Sequence, residues 1–157
     1  MDGRYGIRVM QVKTSRFGPV EVDQQRVIGF PKGILGFPRQ KQYVLLQPGE
    51  DSYFYWLQAT DREDLAFVVT DPSLFVASYR VPIKTEQMRE LGLESLEKAQ
   101  VFVIVNKNEN SLTGNLQGPL VINVKQRVGE QMVLSDRRFT TRVPLVELGA
   151  AVETVPA

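Results

Sequence analysis

The sequence predicts an all-β protein, a barrel or a sandwich, interrupted by one short helical insert. Three observations predict it. About eight to ten short apolar runs follow one another, separated by Gly, Pro, Asn or Asp turn signals. Several of those runs are apolar on both faces, the mark of strands covered on both sides. Only one segment, between Val81 and Ala99, carries the punctuation of a helix.

In chain order, "IRVMQVK" from Ile7 alternates in character and reads as a strand. Phe17-Gly18-Pro19 marks a turn, which makes Val20 to Val22 a hairpin partner. "RVIGF" is a further short apolar piece. "YVLLQ", Tyr43 to Gln47, ends at the turn dipeptide Pro48-Gly49. "YFYWLQA", Tyr53 to Ala59, and "LAFVVTDP", Leu65 to Pro72, are both strand-like, the second stopped by Asp71-Pro72. In the helical segment Thr85 suits an N-cap, Glu86 a first turn and Gly92 a C′ position. One or two turns are expected there, with a second short helix around Glu94 to Lys98. "QVFVIVN", Gln100 to Asn106, reads as a central strand, and Lys107 to Ser111 as a polar loop. Gly114 and Gly118 break the chain before the strand Leu120 to Val124. Val128-Gly129-Glu130 reads as a hairpin turn ahead of a strand from Gln131 to Leu134. A single domain over residues 1–148 and a disordered tail over 149–157 complete the expectation.

Composition removes several function classes. The chain of 157 residues has no Cys and no His, and a net charge of +1. Without them, Ser-His-Asp and Cys-His catalysis and Cys-containing zinc sites are excluded within this chain. A carboxylate pair, a Ser-Lys pair or an oxygen-only Mg²⁺ or Ca²⁺ site stays open. Glu63 and Asp64 are adjacent, so on a strand they would face opposite sides, which is poor geometry for acid–base work. The near-neutral charge lacks the basic excess of a nucleic-acid-binding domain. No run approaches a membrane span or a secretory signal, so a cytoplasmic location is the expectation.

Four segments are candidates for function. "FPKGILGF", Phe30 to Phe37, puts apolar side chains between glycines. Either it folds inward as a plug, or it is a partly exposed loop that receives a partner. "NLQGPLVIN", Asn115 to Asn123, has the same ambiguity, with Asn115 and Asn123 either tying loops to backbone or anchoring a ligand beside an apolar groove. The aromatics Tyr53 to Trp56 would suit a base-stacking platform, but Glu50, Asp51, Asp61, Glu63 and Asp64 surround them and would repel phosphate. Arg137, Arg138 and Arg142 form the nearest thing to a basic patch. On a strand edge they would more often prevent sheet-to-sheet pairing.

Taken in order, these segments resemble the FliW family of flagellar assembly factors. "FPKGILGF" resembles the family's Phe-x-x-Gly-Ile-x-Gly-Phe segment, and "YFYWLQATDREDLAFVVTDP" its strand, acidic turn and strand ending in Asp-Pro. "VFVIV" follows the helical insert, "LTGNLQGPLVIN" resembles the Thr-x-Asn-Leu-x-x-Pro-x-x-Ile-Asn motif, and "GEQMVLSDRRFTTRVPL" the closing hairpin. The resemblance spans most of Met10 to Leu148. It departs at Gly114, which sits inside the Thr-to-Asn step, and in the first nine residues and the tail. It implies a small antiparallel β-barrel with a short helical insert near residues 85–98. The implied protein is cytoplasmic and non-enzymatic; no cofactor, nucleic acid or membrane is expected, and a monomer is the expectation, with pairing of two copies through an uncovered apolar loop left open. The implied partners are newly made flagellin and, once flagellin has left, the RNA-binding translational repressor CsrA, which is then antagonised. For flagellin the candidate residues are Phe30, Ile34, Leu35, Phe37, Asn115, Leu116, Pro119 and Asn123, rimming a groove that takes an amphipathic helix. For CsrA they are Glu50, Asp51, Asp61, Glu63 and Asp64, complementary to a basic surface. The alternative is a small nucleic-acid-binding barrel using Tyr53 to Trp56 with Arg137, Arg138 and Arg142.

Overall fold

Eleven strands and one short α-helix make up the computed structural model, which describes residues 8–47, 49 and 52–148. In order they are β1 (Val9–Thr14), β2 (Gly18–Asp23), β3 (Ile28–Gly29), β4 (Gln42–Leu46), β5 (Phe54–Ala59), β6 (Ala66–Thr70), α1 (Thr85–Glu90), β7 (Ala99–Asn108), β8 (Ser111–Gly114), β9 (Leu120–Asn123), β10 (Val128–Gln131) and β11 (Val143–Glu147). The segments 1–7 and 149–157 lie outside the described residues, so the expected tail and Ile7 are not among the observations. Glu50 and Asp51 lie outside them too. Among the described residues no helix is long and apolar enough to cross a membrane.

The sheet closes on itself. Neighbours run β7-β6-β5-β4-β3-β10-β9, and β9 pairs back onto β7. Strand β7 makes this possible by its length. Along one edge it meets β8 through Val105 to Asn108 and β9 through Ala99 to Phe102. β8 and β9 are thus two pieces of one antiparallel partner, and residues 115–119 bulge out between them. β8 and β11 extend the sheet beyond the ring. The pairings are antiparallel except β3 with β10, which are parallel through Val128 and Gly29. This corrects the fully antiparallel expectation, and it arises because β10 returns after the tight β9–β10 turn. β1 and β2 form a separate hairpin.

Two cores explain why the central strands are apolar on both faces. Ile28, Tyr43, Leu57, Val69, Phe102 and Ile122 come from strands around the ring and fill its interior, together with Phe30 and Ile34. Val103 and Val121 point the other way, as alternation requires. They meet Tyr79, Leu91, Leu116, Met132 and Phe139 in a second cluster that α1 and its flanking loops cover. Burying a side chain of this size stabilises by about 1.5–3 kcal/mol.

Several boundaries differ from the sequence reading. Lys84, not Thr85, is the N-cap of α1, because the Gln87 amide oxygen reaches back to accept the Lys84 N–H (2.9 Å). Lys107, Asn108 and Ser111 are strand rather than loop, since β7 and β8 pair to Asn108↔Ser111 and leave only Glu109-Asn110 to turn. Val128-Gly129-Glu130 is strand rather than turn. Gly129 belongs there because the Phe30 ring occupies the space of its missing side chain, 2.7 Å from an ideal Cβ. The strand expected over Gln131 to Leu134 stops at Gln131. The closing hairpin expected over "GEQMVLSDRRFTTRVPL" does not form as one: β10 pairs with β9 and β3, whereas β11 pairs with β8. This edge strand carries Pro144 and a bulge between Pro144 and Val146, which suits an edge.

Candidate functional site

The loop that begins at Phe30 both plugs the barrel and presents a side chain. Phe30 is fully buried and packs edge-to-face on Tyr43, with ring centroids 5.6 Å apart. Ile34 is buried beside it. Gly33 has a positive φ of 70°, and an added Cβ would lie 2.6 Å from Pro38 Cα, so no residue with a side chain fits where the chain doubles back. The Phe37 N–H then donates to Ile34 O (2.6 Å), closing a turn with Leu35 at its tip. Leu35 is 79% exposed. Phe37 is half-buried, its ring 5.5 Å from that of Phe67.

Gln131 ties this turn to the second Gly/Pro loop. Its side-chain oxygen accepts the Leu35 N–H (2.7 Å), and its amide donates to Gly118 O (3.0 Å). The two loops therefore adjoin, as the expected groove required, but most of their candidate side chains point inward. Leu116, Pro119 and Asn123 are buried. Asn115 accepts the Gly118 N–H and shapes its own turn (2.9 Å). Asn123 donates to Leu91 O at the end of α1 (2.8 Å) and accepts the Gln126 N–H (3.1 Å). These residues position the loops. The surface they leave open is Leu35 and, two residues past Gln131, Val133, which is 75% exposed. Val133 has no signal in the sequence: it sits in an apolar run that reads as an ordinary strand.

The acidic turn joins β5 to β6, with Asp61, Glu63 and Asp64 all exposed. Buried Gln58 braces it by donating from its amide to Arg62 O (3.1 Å) and Glu63 O (3.3 Å). Arg62 pairs with Asp64 (2.9 Å), and this hydrogen bond holds the Asp64 carboxyl below the usual range. Asp61 and Glu63 have no ion pair among the described residues. The Arg62 guanidinium also lies over the Phe37 ring at 5.6 Å. The two sequence-predicted surfaces thus share a border, with Arg62 touching both.

The features of the nucleic-acid alternative disperse. Phe54 stacks on Phe75, Tyr55 meets Phe102, and Trp56 is covered by Arg16 and Phe17. Tyr53 alone of the four is largely exposed, at 62%. The arginines sit on the loop between β10 and β11 rather than on a strand edge, because β10 ends early. Arg138 is paired with Asp136 (2.8 Å). Among the described residues no group of three or more Asp or Glu is placed to hold a metal ion.

The family model described as FliW protein matches residues 11–145. The flagellar assembly factor FliW of Leptospira biflexa is 35% identical over 139 residues, 87% of this chain and 91% of that protein. The FliW of Heliobacterium modesticaldum is 38% identical over 146 residues, covering 92% of this chain and 95% of the relative. A crystal structure of the flagellar assembly factor FliW superposes with a TM-score of 0.80 at 30% identity, covering 93% of this chain and all of that one.

Proposed function

This chain belongs to the FliW family of flagellar assembly factors, and we propose that it acts as a non-enzymatic cytoplasmic binding protein. In this reading it holds flagellin before export and, when free, binds and antagonises CsrA. The observation that carries the reading is the presentation of Leu35. A large apolar side chain stands 79% exposed on a turn fixed by a Gly33 backbone kink and by Gln131. Exposing it costs the fold burial it could otherwise gain, and an apolar face of an amphipathic helix would cover it. Leu35, Phe37 and Val133 are the contact residues for flagellin, while Phe30, Ile34, Leu116, Pro119, Asn115 and Asn123 hold their frame. Asp61 and Glu63, exposed and without an ion pair among the described residues, meet a basic surface of CsrA, with Asp64 already engaged by Arg62.

The test is a pair of crossed titrations. Charge reversal at Asp61 and Glu63 should weaken CsrA binding and leave flagellin binding intact, whereas Leu35→Asp should do the opposite. Rim charges act strongly on association rate, so the CsrA effect should also shrink with added salt. If charge reversal leaves CsrA affinity and its salt dependence unchanged, the acidic turn has no part in binding it.

A further inference from the structure

A groove apart from both loops separates the β1–β2 hairpin from the barrel. Among the described residues the hairpin shares no ladder with the barrel, and polar contacts tie it there at its tip and at its root. At its tip the Ser15 N–H donates to Glu63 O (2.9 Å), and Arg16 lies 4.1 Å above Trp56. At its root the Arg127 guanidinium donates to the carbonyls of Gln25 (3.2 Å) and Arg26 (2.9 Å). Between these tethers the groove measures about 480 Å³ and is lined by residues 20–23 of β2, residues 45–46 of β4 and Gln47 just past its end, together with Phe17 and Arg26.

The lining identifies what the groove meets. Successive side chains of a strand point to opposite faces. A groove lined by unbroken runs from two strands therefore faces their edges, where the backbone is. On β2, Pro19 lies opposite Lys13 and has no N–H. Alternation then turns the backbone groups of Pro19, Glu21 and Asp23 away from β1. On β4, the Phe30 N–H donates to Lys41 O and the Thr60 N–H to Gln42 O. Odd-numbered residues thus aim toward β3 and even ones toward β5. But β3 ends opposite Tyr43. The N–H and C=O of Leu45 consequently face the groove from one side, and those of Glu21 from the other. Among the described residues no backbone hydrogen bond crosses between them.

We propose that this groove accepts an extended segment of another protein as an added strand, which joins hairpin and barrel into one sheet. A helix would leave both edges unpaired, because its own backbone groups are already bonded, whereas a strand offers a donor and an acceptor to each side. Val20, Val22 and Leu46 are half-buried and apolar. The exposed Glu21 carboxylate has no ion pair among the described residues. Glu21 and Asp23 outnumber Arg26 in the lining, so the fitting segment alternates apolar residues with polar ones and carries Lys or Arg beside Glu21, away from Arg26. This inference does not rest on the flagellar reading.

The test pans a random dodecapeptide phage library against the whole chain, and synthesises the peptide that enriches most. Its affinity is then measured for wild type, Glu21→Pro and Gln11→Pro. Gln11 is the cross-strand partner of Glu21. The two prolines thus remove outward N–H groups from opposite edges of the same hairpin. The expected result is about tenfold weaker binding for Glu21→Pro, the loss of one edge hydrogen bond, and little change for Gln11→Pro. Hydrogen exchange on wild type should show the Glu21 and Leu45 amides protected by the peptide. No enriched peptide, equal loss in both variants, or no protection of these amides overturns the proposal. Protection of the same amides by self-association would make a second copy the occupant and overturn it equally.

Discussion

Replacing Gly33 with alanine tests whether the presented turn depends on one backbone position. Two costs apply there. Gly33 has φ 70°, where an L side chain costs about 1–2 kcal/mol. The new Cβ would also stand 2.6 Å from Pro38 Cα and 2.7 Å from Phe37 O, both backbone atoms that cannot rotate aside. Forcing them apart adds an overpacking cost of about 1–3 kcal/mol. Gly36, three residues on, supplies the control. Its φ is 92°, yet nothing lies within 4 Å of an added Cβ. Gly36→Ala should therefore cost only the backbone term of about 1–2 kcal/mol, and Gly33→Ala about 2–5 kcal/mol in all. Equilibrium urea unfolding reads the difference. With an m-value of about 2 kcal/mol/M, the extra cost of about 1–3 kcal/mol should lower the Gly33→Ala midpoint below that of Gly36→Ala by roughly 0.5–1.5 M. Indistinguishable midpoints would refute the reasoning, because the steric term would then be absent.

Three further predictions concern other parts of the frame. The Tyr43 hydroxyl is buried without a hydrogen-bond partner among the described residues, so Tyr43→Phe should leave stability unchanged or raise it by about 1–2 kcal/mol in thermal or urea unfolding. Burial pushes the Tyr43 phenol from 10.0 up to about 12, with Asp61 adding to the shift. A raised folded pKa means the native state holds the proton more tightly, so this contribution is intact below pH 10 and lost as pH rises toward 12. The slope should be about 1.4 kcal/mol per pH unit for Tyr43, should vanish for this group in Tyr43→Phe, and is checked by unfolding between pH 9 and pH 12. Tyr79, whose phenol burial also raises, would leave a residual slope of the same sign. Gln58→Leu removes the amide that holds the Arg62 and Glu63 carbonyls, and should cost about 1–3 kcal/mol and speed amide exchange in the acidic turn. Asn123→Ala should cost about 1–2 kcal/mol and loosen the end of α1, seen as faster exchange there, since Leu91 O loses its donor.

How much was legible from the sequence depended on whether the signal was local. The strand-dense pattern, the β1–β2 hairpin, the two-faced character of "VFVIV" and the C′ glycine at Gly92 follow from periodicity and turn chemistry, and all appear in the fold. Gly129 misled because glycine signals a turn locally, while its reason is remote: the Phe30 ring, far away in sequence, needs its space. The end of β10 and the identity of β11 are likewise set by pairing partners rather than by composition. At the site, the "FPKGILGF" spacing left open whether the loop plugs or presents. The structure divides the labour, with Phe30 and Ile34 inward and Leu35 outward. Hydrophobicity alone cannot separate Ile34 from Leu35, because the difference is made by the turn that Gly33 and Gly36 allow. Asn115 and Asn123 looked equally suited to ligands and to loops, and their hydrogen bonds commit them to loops. The bridge from Arg62 to Phe37 had no sequence signal, for it joins residues that only the closed ring brings together.

Calorimetric titration of flagellin monomer into wild type and into Leu35→Asp tests most directly whether Leu35 is a presented contact. Leu35 is exposed, so the variant should unfold at the same urea concentration as wild type. Wild type should bind 1:1 and the variant at least about tenfold more weakly, the loss expected for one central apolar contact. Equal affinity for both proteins would contradict it, and no binding to either would contradict the flagellin assignment itself.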